Sequence, residues 1–316
     1  MSLRRFILYR ILSFIPIMVG VSVLTFALIH LTPGDPVSLI ASGNPDFSAA
    51  DEARLRARYG LDEPVVQQYF TWMGNVLQGD FGIVYSTDRA VEDLIVRRLP
   101  ETITLGLFGW VFALLIAIPT GIYAAVRKDQ LGDDFSRIVA LSGISLPNFW
   151  LGLMLLSIFA VTLGWWNVLP PNTKLYHPDM LYYLILPGIT IGTASAATMM
   201  RIMRSAMAEE MNKEYVTTAR AKGLPERTVI LKHVLRNSLI SVTTAAAFLT
   251  ASIFSGAIVV EVIFSWPGLG LEFYDAILLR EINVIMGITL FLSAVIILMN
   301  LLADIAYAFL DPRIRY

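Results

Sequence analysis

The stretch TITLGLFGWVFALLIAIPTGIYAAV, residues 102–126, contains no charged residue between Glu101 and Arg127. A helix needs roughly 20 apolar residues to cross the ~30 Å hydrocarbon core of a bilayer, and this stretch is long enough. The composition of the whole chain agrees, since 56% of its 316 residues are hydrophobic and only 16% are charged, whereas a soluble domain carries about a quarter. The sequence therefore predicts an integral membrane protein.

Six segments reach this length and are predicted to be transmembrane helices. They are Tyr9–Leu31, Thr102–Val126, Ile138–Leu163, Leu181–Met203, Ser238–Val260 and Asn283–Phe309. The first is too long for the apolar part of a signal peptide and lacks a small-residue cleavage site, so we expect it to be retained. The predicted fold is an all-α membrane protein divided into residues 1–31 (first helix), 32–100 (outside subdomain), 101–310 (helical core with an inside loop, 204–237) and 311–316 (tail).

The distribution of Lys and Arg predicts the orientation. If the N-terminus is inside, the inside segments hold 16 of the 24 basic residues, and the two short outside loops hold only Lys174 and Arg280. The long segment 32–100 holds the other six, but long loops follow the rule poorly. We therefore expect an inner-membrane protein with both termini in the cytoplasm.

The outside segment, residues 32–100, is polar and rich in turn residues, as in Gly79-Asp80-Phe81-Gly82. Two short helices are predicted inside it, at Ala49–Arg58 and Val65–Leu77. A small core is expected to join them, formed by Leu55, Tyr59, Tyr69, Phe70 and Trp72. This compact subdomain is either a lid on its own helices or a docking surface for a soluble partner.

The sequence lacks the usual signatures of catalysis. It has no cysteine, which excludes thiol catalysis and cysteine-based metal sites, and its 3 histidines are scattered. It also lacks a Gly-x-x-x-x-Gly-Lys phosphate loop, a His-Glu-x-x-His zinc motif and a Gly-x-Ser-x-Gly nucleophile motif. A net charge of -1 gives no indication of a nucleic-acid partner. We expect a non-catalytic protein with no metal or cofactor of its own.

The fourth predicted span carries small residues at four-residue spacing, namely Gly188, Gly192 and Ala196. Because small residues at this spacing let helix backbones approach closely, they are predicted to form a helix-packing face. Hydroxyl side chains lie on other faces of the span: Thr190, Thr193, Ser195 and Thr198. They either line a polar pathway or bond back to the carbonyls of their own helix.

Several predicted spans contain residues that are unusual in a membrane helix. Prolines, which indicate either ordinary bends or hinges, occur at Pro16, Pro119, Pro147 and Pro187. Glu261, ahead of Trp266-Pro267-Gly268, is either an acid at the membrane interface beside an aromatic anchor or part of an outer gate. Asp304 lies within a span, where a carboxylate is usually paired. We expect it to pair with Arg313, Arg315 or a loop arginine, with proton coupling as the alternative.

The most informative stretch lies on the predicted inner side, between about Arg204 and Asn237, and is longer than a connection between adjacent spans requires. Its sequence predicts a short helix over Tyr215–Lys222, which Gly223 is suited to end in a left-handed conformation. Pro225 then suits the first turn of a second helix that runs into the fifth span. A short helix held by a rigid turn either fits a socket on another protein or lies on anionic lipid as a basic amphipathic segment.

This loop contains a dense set of motif residues: Tyr215, Thr218, Ala219, Arg220, Ala221, Lys222, Gly223, Lys232, His233, Leu235, Arg236 and Asn237. The set resembles the signature loop, or EAA motif, of type I ABC importer permeases, in the variant of their dipeptide, oligopeptide, nickel and glutathione branch. Similar stretches occur along nearly the whole chain, including Leu31-Thr32-Pro33-Gly34-Asp35-Pro36, Ser145-Leu146-Pro147-Asn148-Phe149-Trp150 and residues 260–270. The long outside segment is similar to that of the B-type subunit.

The resemblance implies a MetI-like permease fold and the inward transport of peptides or a related small solute. It implies as partners, besides membrane lipid, a homologous permease, two ATPase subunits that hold ATP and Mg, and an extracytoplasmic binding protein. ATPase coupling is carried over to Tyr215, Thr218, Ala219, Lys222, Gly223, Leu224 and His233. Gate or pathway residues are expected among Pro147, Asn148, Thr193, Ser195, Glu261, Pro267 and Gly268.

Two questions stay open from the sequence. The alternative function is a secondary transporter driven by an ion gradient, although such proteins often show an internal repeat and the chain shows none. The solute is equally open, since members of the resembling branch move dipeptides, oligopeptides, glutathione, nickel, opines or sugars.

Overall fold

The structure is a computed structural model that describes residues 3–31, 48–58, 60–167 and 179–310. We label the helices in chain order: α1 Leu3–Leu31, α2 Ala49–Arg58, α3 Val65–Val76, α4 Val91–Val126, α5 Leu131–Ser145, α6 Asn148–Leu156, α7 Asp179–Glu210, α8 Glu214–Ala221, α9 Glu226–Thr228, α10 Leu235–Phe264, α11 Leu269–Leu279 and α12 Ile282–Leu310. π-Helical turns follow α6 and α9, at Ser157–Thr162 and Val229–Val234. Two short antiparallel strands, β1 (Ile83–Val84) and β2 (Arg89–Ala90), form a hairpin that the sequence did not predict.

Four of these helices, α1, α4, α7 and α12, are long and apolar enough to cross a membrane. Two further pairs, α5 with α6 and α10 with α11, pass the same test together, which gives 6 spans if each pair counts as one. The chain is thus a helical membrane protein whose architecture agrees with the predicted number of spans. α4 begins at Val91 rather than at Thr102, and Glu92 and Asp93 in its first turn favour that start.

The third predicted span, Ile138–Leu163, is divided into two helices at Pro147, one of the prolines for which a bend or hinge was predicted. α5 and α6 meet at an angle of 100°. Leu146 between them is extended, with φ -78° and ψ 123°, because the ring of a following proline disfavours the helical conformation. Pro147 has no N–H to continue the helix, and α6 begins after it at Asn148.

The fifth predicted span, Ser238–Val260, is longer than expected at both ends. α10 continues to Phe264 and stops at Ser265, which is left-handed with φ 51°. A further helix, α11, follows with 11 residues. α11 was not predicted from the sequence, because an apolar helix of this length is too short to be recognised as a span.

The helices divide into two compact units, and the first comprises residues 1–7, 102–266 and 298–316. Within it α7 packs against α5, α6 and α10. α7 also approaches α4 closely, since a Cβ on Gly192 would lie 2.5 Å from the carbonyl oxygen of Gly109 and one on Gly188 would clash with the ring of Phe108. Gly192 thus lies where the backbones of α7 and α4 approach closely, and Gly188 leaves room for the ring of Phe108.

The second unit comprises residues 8–101 and 267–297. Glu281, which is 5% exposed, accepts N–H hydrogen bonds from Tyr85 at 2.7 Å and from Ser86 at 2.8 Å. These bonds tie the β hairpin to the start of α12. A second link joins Arg98 of α4 to Glu272 of α11 at 2.7 Å.

The two short helices of the second unit have nearly the predicted bounds, but the core predicted for them is partly wrong. Phe70 is 68% exposed. Trp72, on the opposite side of α3, packs instead against Phe26 of α1. The side chains of Leu55 and Tyr59, and the whole predicted tail 311–316, lie outside the described residues.

Candidate functional site

The loop singled out in the sequence folds into a helix, a tight turn and a second helix. α8 runs from Glu214 to Ala221, one residue earlier at each end than predicted. Lys222 follows with φ -74° and ψ 0°, and Gly223 then adopts φ 76°. This left-handed conformation favours glycine, because it costs other L-residues about 1–2 kcal/mol. We call residues 214–224 the α8 segment.

The second helix begins differently from the prediction. Pro225 precedes it with ψ 140°, and Glu226 is its first helical residue. The predicted place of Pro225 within the first turn is therefore wrong by one position. From Val229 to Val234 the backbone makes a π-helical turn before α10, and sequence analysis had no signal for it because a π turn depends on local packing. His233 lies half-buried in this turn.

One face of α8 is anchored in an apolar cluster. Val216 and Ala219 are 0% and 6% exposed, and their spacing of three residues places them on the same side of the helix. They pack with Met203 and Met207 of α7 and with Val229 of the π turn. The cluster therefore fixes α8 both to the end of α7 and to the helix that continues into α10.

The opposite face of the α8 segment is exposed and presents Thr218, Lys222, Gly223 and Leu224. A Cβ built on Gly223 would meet no atom within 4 Å. Within the part of the chain that the structure describes, only the backbone conformation therefore requires glycine there. The predicted coupling residues thus divide into this exposed set and a second set of buried or half-buried residues, namely Tyr215, Ala219 and His233.

Tyr215 joins three elements through its hydroxyl group. The hydroxyl donates a hydrogen bond to Glu210 Oε2 of α7 at 2.5 Å and accepts one from Asn237 Nδ2 of α10 at 3.0 Å. Lys213 also pairs with Glu210, which raises the pKa of the lysine. Burial, and then the hydrogen bond to Glu210, raise the pKa of Tyr215. The phenol therefore stays protonated and keeps donating at neutral pH.

A salt bridge closes the turn around Gly223. Arg220 donates from Nε and Nη2 to the carboxylate of Glu226, at 3.1 and 2.7 Å. These hydrogen bonds lower the pKa of Glu226 and raise the pKa of Arg220. Because both side chains are about half exposed, the pair contributes at most about 1 kcal/mol. Its effect is to hold the shape of the turn.

Glu261, one of the predicted gate residues, is fully buried in the first unit, at 0% exposed. Its Oε1 accepts a hydrogen bond of 2.7 Å from the hydroxyl of Thr102. Trp266 is only 1% exposed and lies in the same apolar core as Phe264. The structure places Glu261 in the last turn of α10, and the burial of Trp266 argues against its expected role as an aromatic anchor at the membrane interface. A gate role for Glu261 stays a prediction.

The hydroxyl groups of α7 mostly bond to their own helix. Thr190, Thr193 and Thr198 donate to the carbonyl four residues earlier, at 2.8, 2.5 and 2.9 Å. These bonds satisfy the hydroxyl donors without a polar pathway. Ser195 is buried, at 6% exposed.

The remaining predicted gate residues flank breaks between helices: Pro147, Asn148, Pro267 and Gly268. The first two lie at the bend between α5 and α6 in the first unit, and the last two precede α11 in the second.

Asp304 is 8% exposed in α12, and its expected partners Arg313 and Arg315 lie outside the described residues. Among the residues that the structure does describe, no three His, Asp or Glu side chains are grouped to hold a metal ion.

A buried ion pair that was not predicted from the sequence joins α5 and α7. Asp133 is 0% exposed, and its two oxygens each accept a 2.5 Å hydrogen bond from Arg204, one from Nε and one from Nη2. The backbone N–H of Asp129 donates to the same carboxylate at 3.1 Å. Asp133 shares the buried face of α5 with Ala140 and Gly143. The sequence places two aspartates side by side, Asp133 and Asp134, and only the packing of α5 on α7 shows which of them is buried.

Known families match almost the entire chain. Residues 117–316 match the family described as "Binding-protein-dependent transport system inner membrane component". Residues 3–106 match a second family described as "Binding-prot-dependent transport system membrane comp, N-term". The chain belongs to the binding-protein-dependent permease family. It is accordingly a membrane permease subunit of a binding-protein-dependent ABC importer.

Individual permeases of this family are similar over the full length. The oligopeptide transport system permease protein AppB of Bacillus subtilis is 40% identical, over 98% of this chain and 99% of its own. The glutathione transport system permease protein GsiC of Escherichia coli is 39% identical with the same coverage. A chain of the inward-facing MetNI methionine ABC transporter has a TM-score of 0.55 at 17% identity and covers 69% of this chain and 96% of its own. This last likeness concerns the fold alone.

Proposed function

We propose that this permease is the B-type subunit of an importer that carries peptides, or a related small solute, across the cytoplasmic membrane. The similarity to permeases named for oligopeptides and for glutathione, each over 98% of the chain, supports this class of solute. Selection among solutes falls largely to a separate binding protein outside the membrane.

The proposed transporter is a heterodimer of this chain and a homologous permease, with two ATPase subunits on the cytoplasmic side. ATP and Mg bind to the ATPases, and this chain catalyses no reaction and holds no cofactor. Both termini and the α8 segment lie in the cytoplasm. This orientation is proposed because it places 16 of the 24 basic residues on the cytoplasmic side, as the positive-inside rule expects.

The division of the α8 segment into an exposed and an anchored face is the observation that carries the proposal. A cleft in an ATPase subunit binds the exposed face of the α8 segment, at Thr218, Lys222 and Leu224. The anchored face passes the movement on, through the apolar cluster to α7 and through the hydroxyl of Tyr215 to Asn237 of α10. Closure of the ATPase pair thereby favours one conformation of the spans, and the loaded binding protein contributes by preferring that same conformation.

Replacing Gly223 by Asp tests this coupling. Aspartate tolerates a left-handed backbone better than most residues, and a Cβ on Gly223 has free space, so the variant should fold and insert normally. We expect uptake per ATP hydrolysed to fall about tenfold or more, since allosteric coupling energies correspond to roughly 5- to 150-fold effects. The measurement is solute uptake and ATP hydrolysis by the reconstituted transporter.

Gly79→Asp is the matched control. Gly79 also has a positive φ, of 89°, and a Cβ built on it also meets nothing within 4 Å, but it lies in the long segment before α4. Gly79→Asp should keep normal coupling. Normal coupling in Gly223→Asp, or an equal loss in both variants, would refute the assignment of the α8 segment.

A further inference from the structure

A cleft between α5 and α7 combines positive charge with an apolar wall. Its volume is about 620 Å³. The lining includes Asp134, Arg137, Ile138, Leu141, Arg201 and Arg204. Three guanidinium groups therefore face one carboxylate, and the cleft keeps a net positive charge even though Arg204 is neutralised by the buried Asp133 behind it.

Two of the three arginines are free to bind a ligand. Arg137 lies 3.6 Å from Asp134, but both side chains are about 60% exposed, and such a surface pair contributes little. Arg201 is exposed and makes no ion pair with any residue in the described ranges. Arg204 donates to both carboxylate oxygens of Asp133 and is therefore not free to bind a ligand.

The apolar side of the cleft exposes more hydrophobic side-chain surface than is usual where a protein faces water. Ile138 and Leu141 are 64% and 61% exposed, and Phe135 on the same helix is 69% exposed. In a chain that crosses a membrane, such side chains are suited to contact lipid rather than water. The cleft therefore places arginine side chains next to a surface suited to acyl chains.

We propose that this cleft binds one phospholipid with an anionic, phosphodiester headgroup. The phosphate accepts charge-assisted hydrogen bonds from Arg137 and Arg201, because a guanidinium matches phosphate geometry. The acyl chains lie along Ile138 and Leu141. Basic pockets between transmembrane helices on the cytoplasmic side are suited to such headgroups.

A neighbouring cleft supports the choice of site by contrast. It has a volume of about 420 Å³ and shares Arg201 and Ser205 with the first cleft. Its other lining residues include Glu209 and Ser241, so one carboxylate offsets its one arginine. A phosphate on Arg201 is therefore favoured on the side of α5, where Arg137 adds a second positive charge.

The test uses the complete transporter in detergent and counts bound lipids by native mass spectrometry. Phosphatidylglycerol and phosphatidylcholine with identical acyl chains are titrated separately. We expect phosphatidylglycerol to bind more tightly, Arg201→Gln to weaken it about fivefold, and Arg137→Gln with Arg201→Gln to weaken it about thirtyfold. Lys128→Gln, which removes an exposed cation outside the cleft, should leave binding unchanged.

Three outcomes would overturn the proposal. Equal binding of the two lipids would mean that the arginines do not distinguish an anionic headgroup from a zwitterionic one. Equal weakening by Lys128→Gln would mean that general surface charge, not this cleft, attracts the lipid. Loss of the partner permease from the double variant, with the lipid count unchanged, would mean that protein rather than lipid covers the cleft. Because Arg137 and Arg201 are exposed, replacing them should not disrupt folding, and a change in the lipid count then reports on binding.

Discussion

Asp133 is a carboxylate with no exposed surface in the first unit, and it is stable there because Arg204 and the N–H of Asp129 bind both of its oxygens. Breaking a buried ion pair by removing one partner leaves an uncompensated charge and costs about 3–5 kcal/mol. The adjacent Asp134 is 60% exposed and lies 3.6 Å from Arg137. Two neighbouring aspartates are therefore expected to differ greatly in their effect on stability.

Asp133→Asn should lower the stability of the first unit by about 3 kcal/mol, because Arg204 keeps its charge and loses its counter-ion. The measurement is the apparent unfolding temperature of the purified transporter in detergent. Asp134→Asn is the control and should change it little, as expected for an exposed pair. Equal shifts in the two variants would contradict the role assigned to Asp133.

The same pair of residues shows what a single sequence can predict at this scale. Positions with a backbone requirement were predictable, and Gly223 has the positive φ expected of it. Burial was not, because Asp133 and Asp134 are chemically identical and only the packing of α5 on α7 separates them. For the same reason the direction in which Trp266 points could not be foreseen.

At the scale of elements, the short helices α2, α3 and α8 lie within one residue of their predicted bounds. Local signals decide those bounds, since glycine, proline and first-turn acids act on the backbone directly. The break at Pro147 was among the bends that the prolines predict, but its angle of 100° was not, and the helix α11 and the π turn before α10 were missed. Their geometry depends on neighbouring helices, which no local pattern encodes.

The turn between α8 and α9 should depend on pH. Since Arg220 lowers the pKa of Glu226 in the folded state, the pair stabilises the turn above the ordinary glutamate pKa. That stabilisation is lost as the pH falls below about 4 and passes through the lowered value. The amides of Lys222 and Gly223 should then exchange up to about fivefold faster, after correction for intrinsic rates.

Glu226→Gln is the control for this effect. The variant should show the faster exchange already at neutral pH and no further change on acidification. If the wild-type exchange stayed constant from pH 7 to pH 3, the salt bridge would not hold the turn.

At the scale of the whole molecule, the permease has an exposed segment suited to binding an ATPase but no nucleotide-binding motif of its own. The sequence contains no phosphate loop, and a Cβ built on Gly223, in the exposed part of the α8 segment, would meet no atom within 4 Å in the described chain. The family relationship accounts for this incompleteness, because a permease of this kind is one part of an importer. The source of energy is therefore expected to lie in separate ATPase subunits.

Uptake into vesicles that contain the complete transporter should stop on addition of vanadate, which inhibits the ATPases. A protonophore added with ATP present should leave it nearly unchanged. The opposite pattern, or uphill transport by this chain reconstituted without ATPases, would identify an ion-driven carrier instead.

The claim that a separate ATPase grips the α8 segment has a direct test, because the chain has no cysteine of its own. A single cysteine is introduced by Lys222→Cys on the exposed face, and by Lys128→Cys as an exposed control before α5. A short bifunctional reagent is then applied to the assembled transporter. We expect Lys222→Cys to cross-link to an ATPase subunit in high yield and Lys128→Cys to do so weakly. Efficient cross-linking from the control with none from Lys222→Cys would contradict the account.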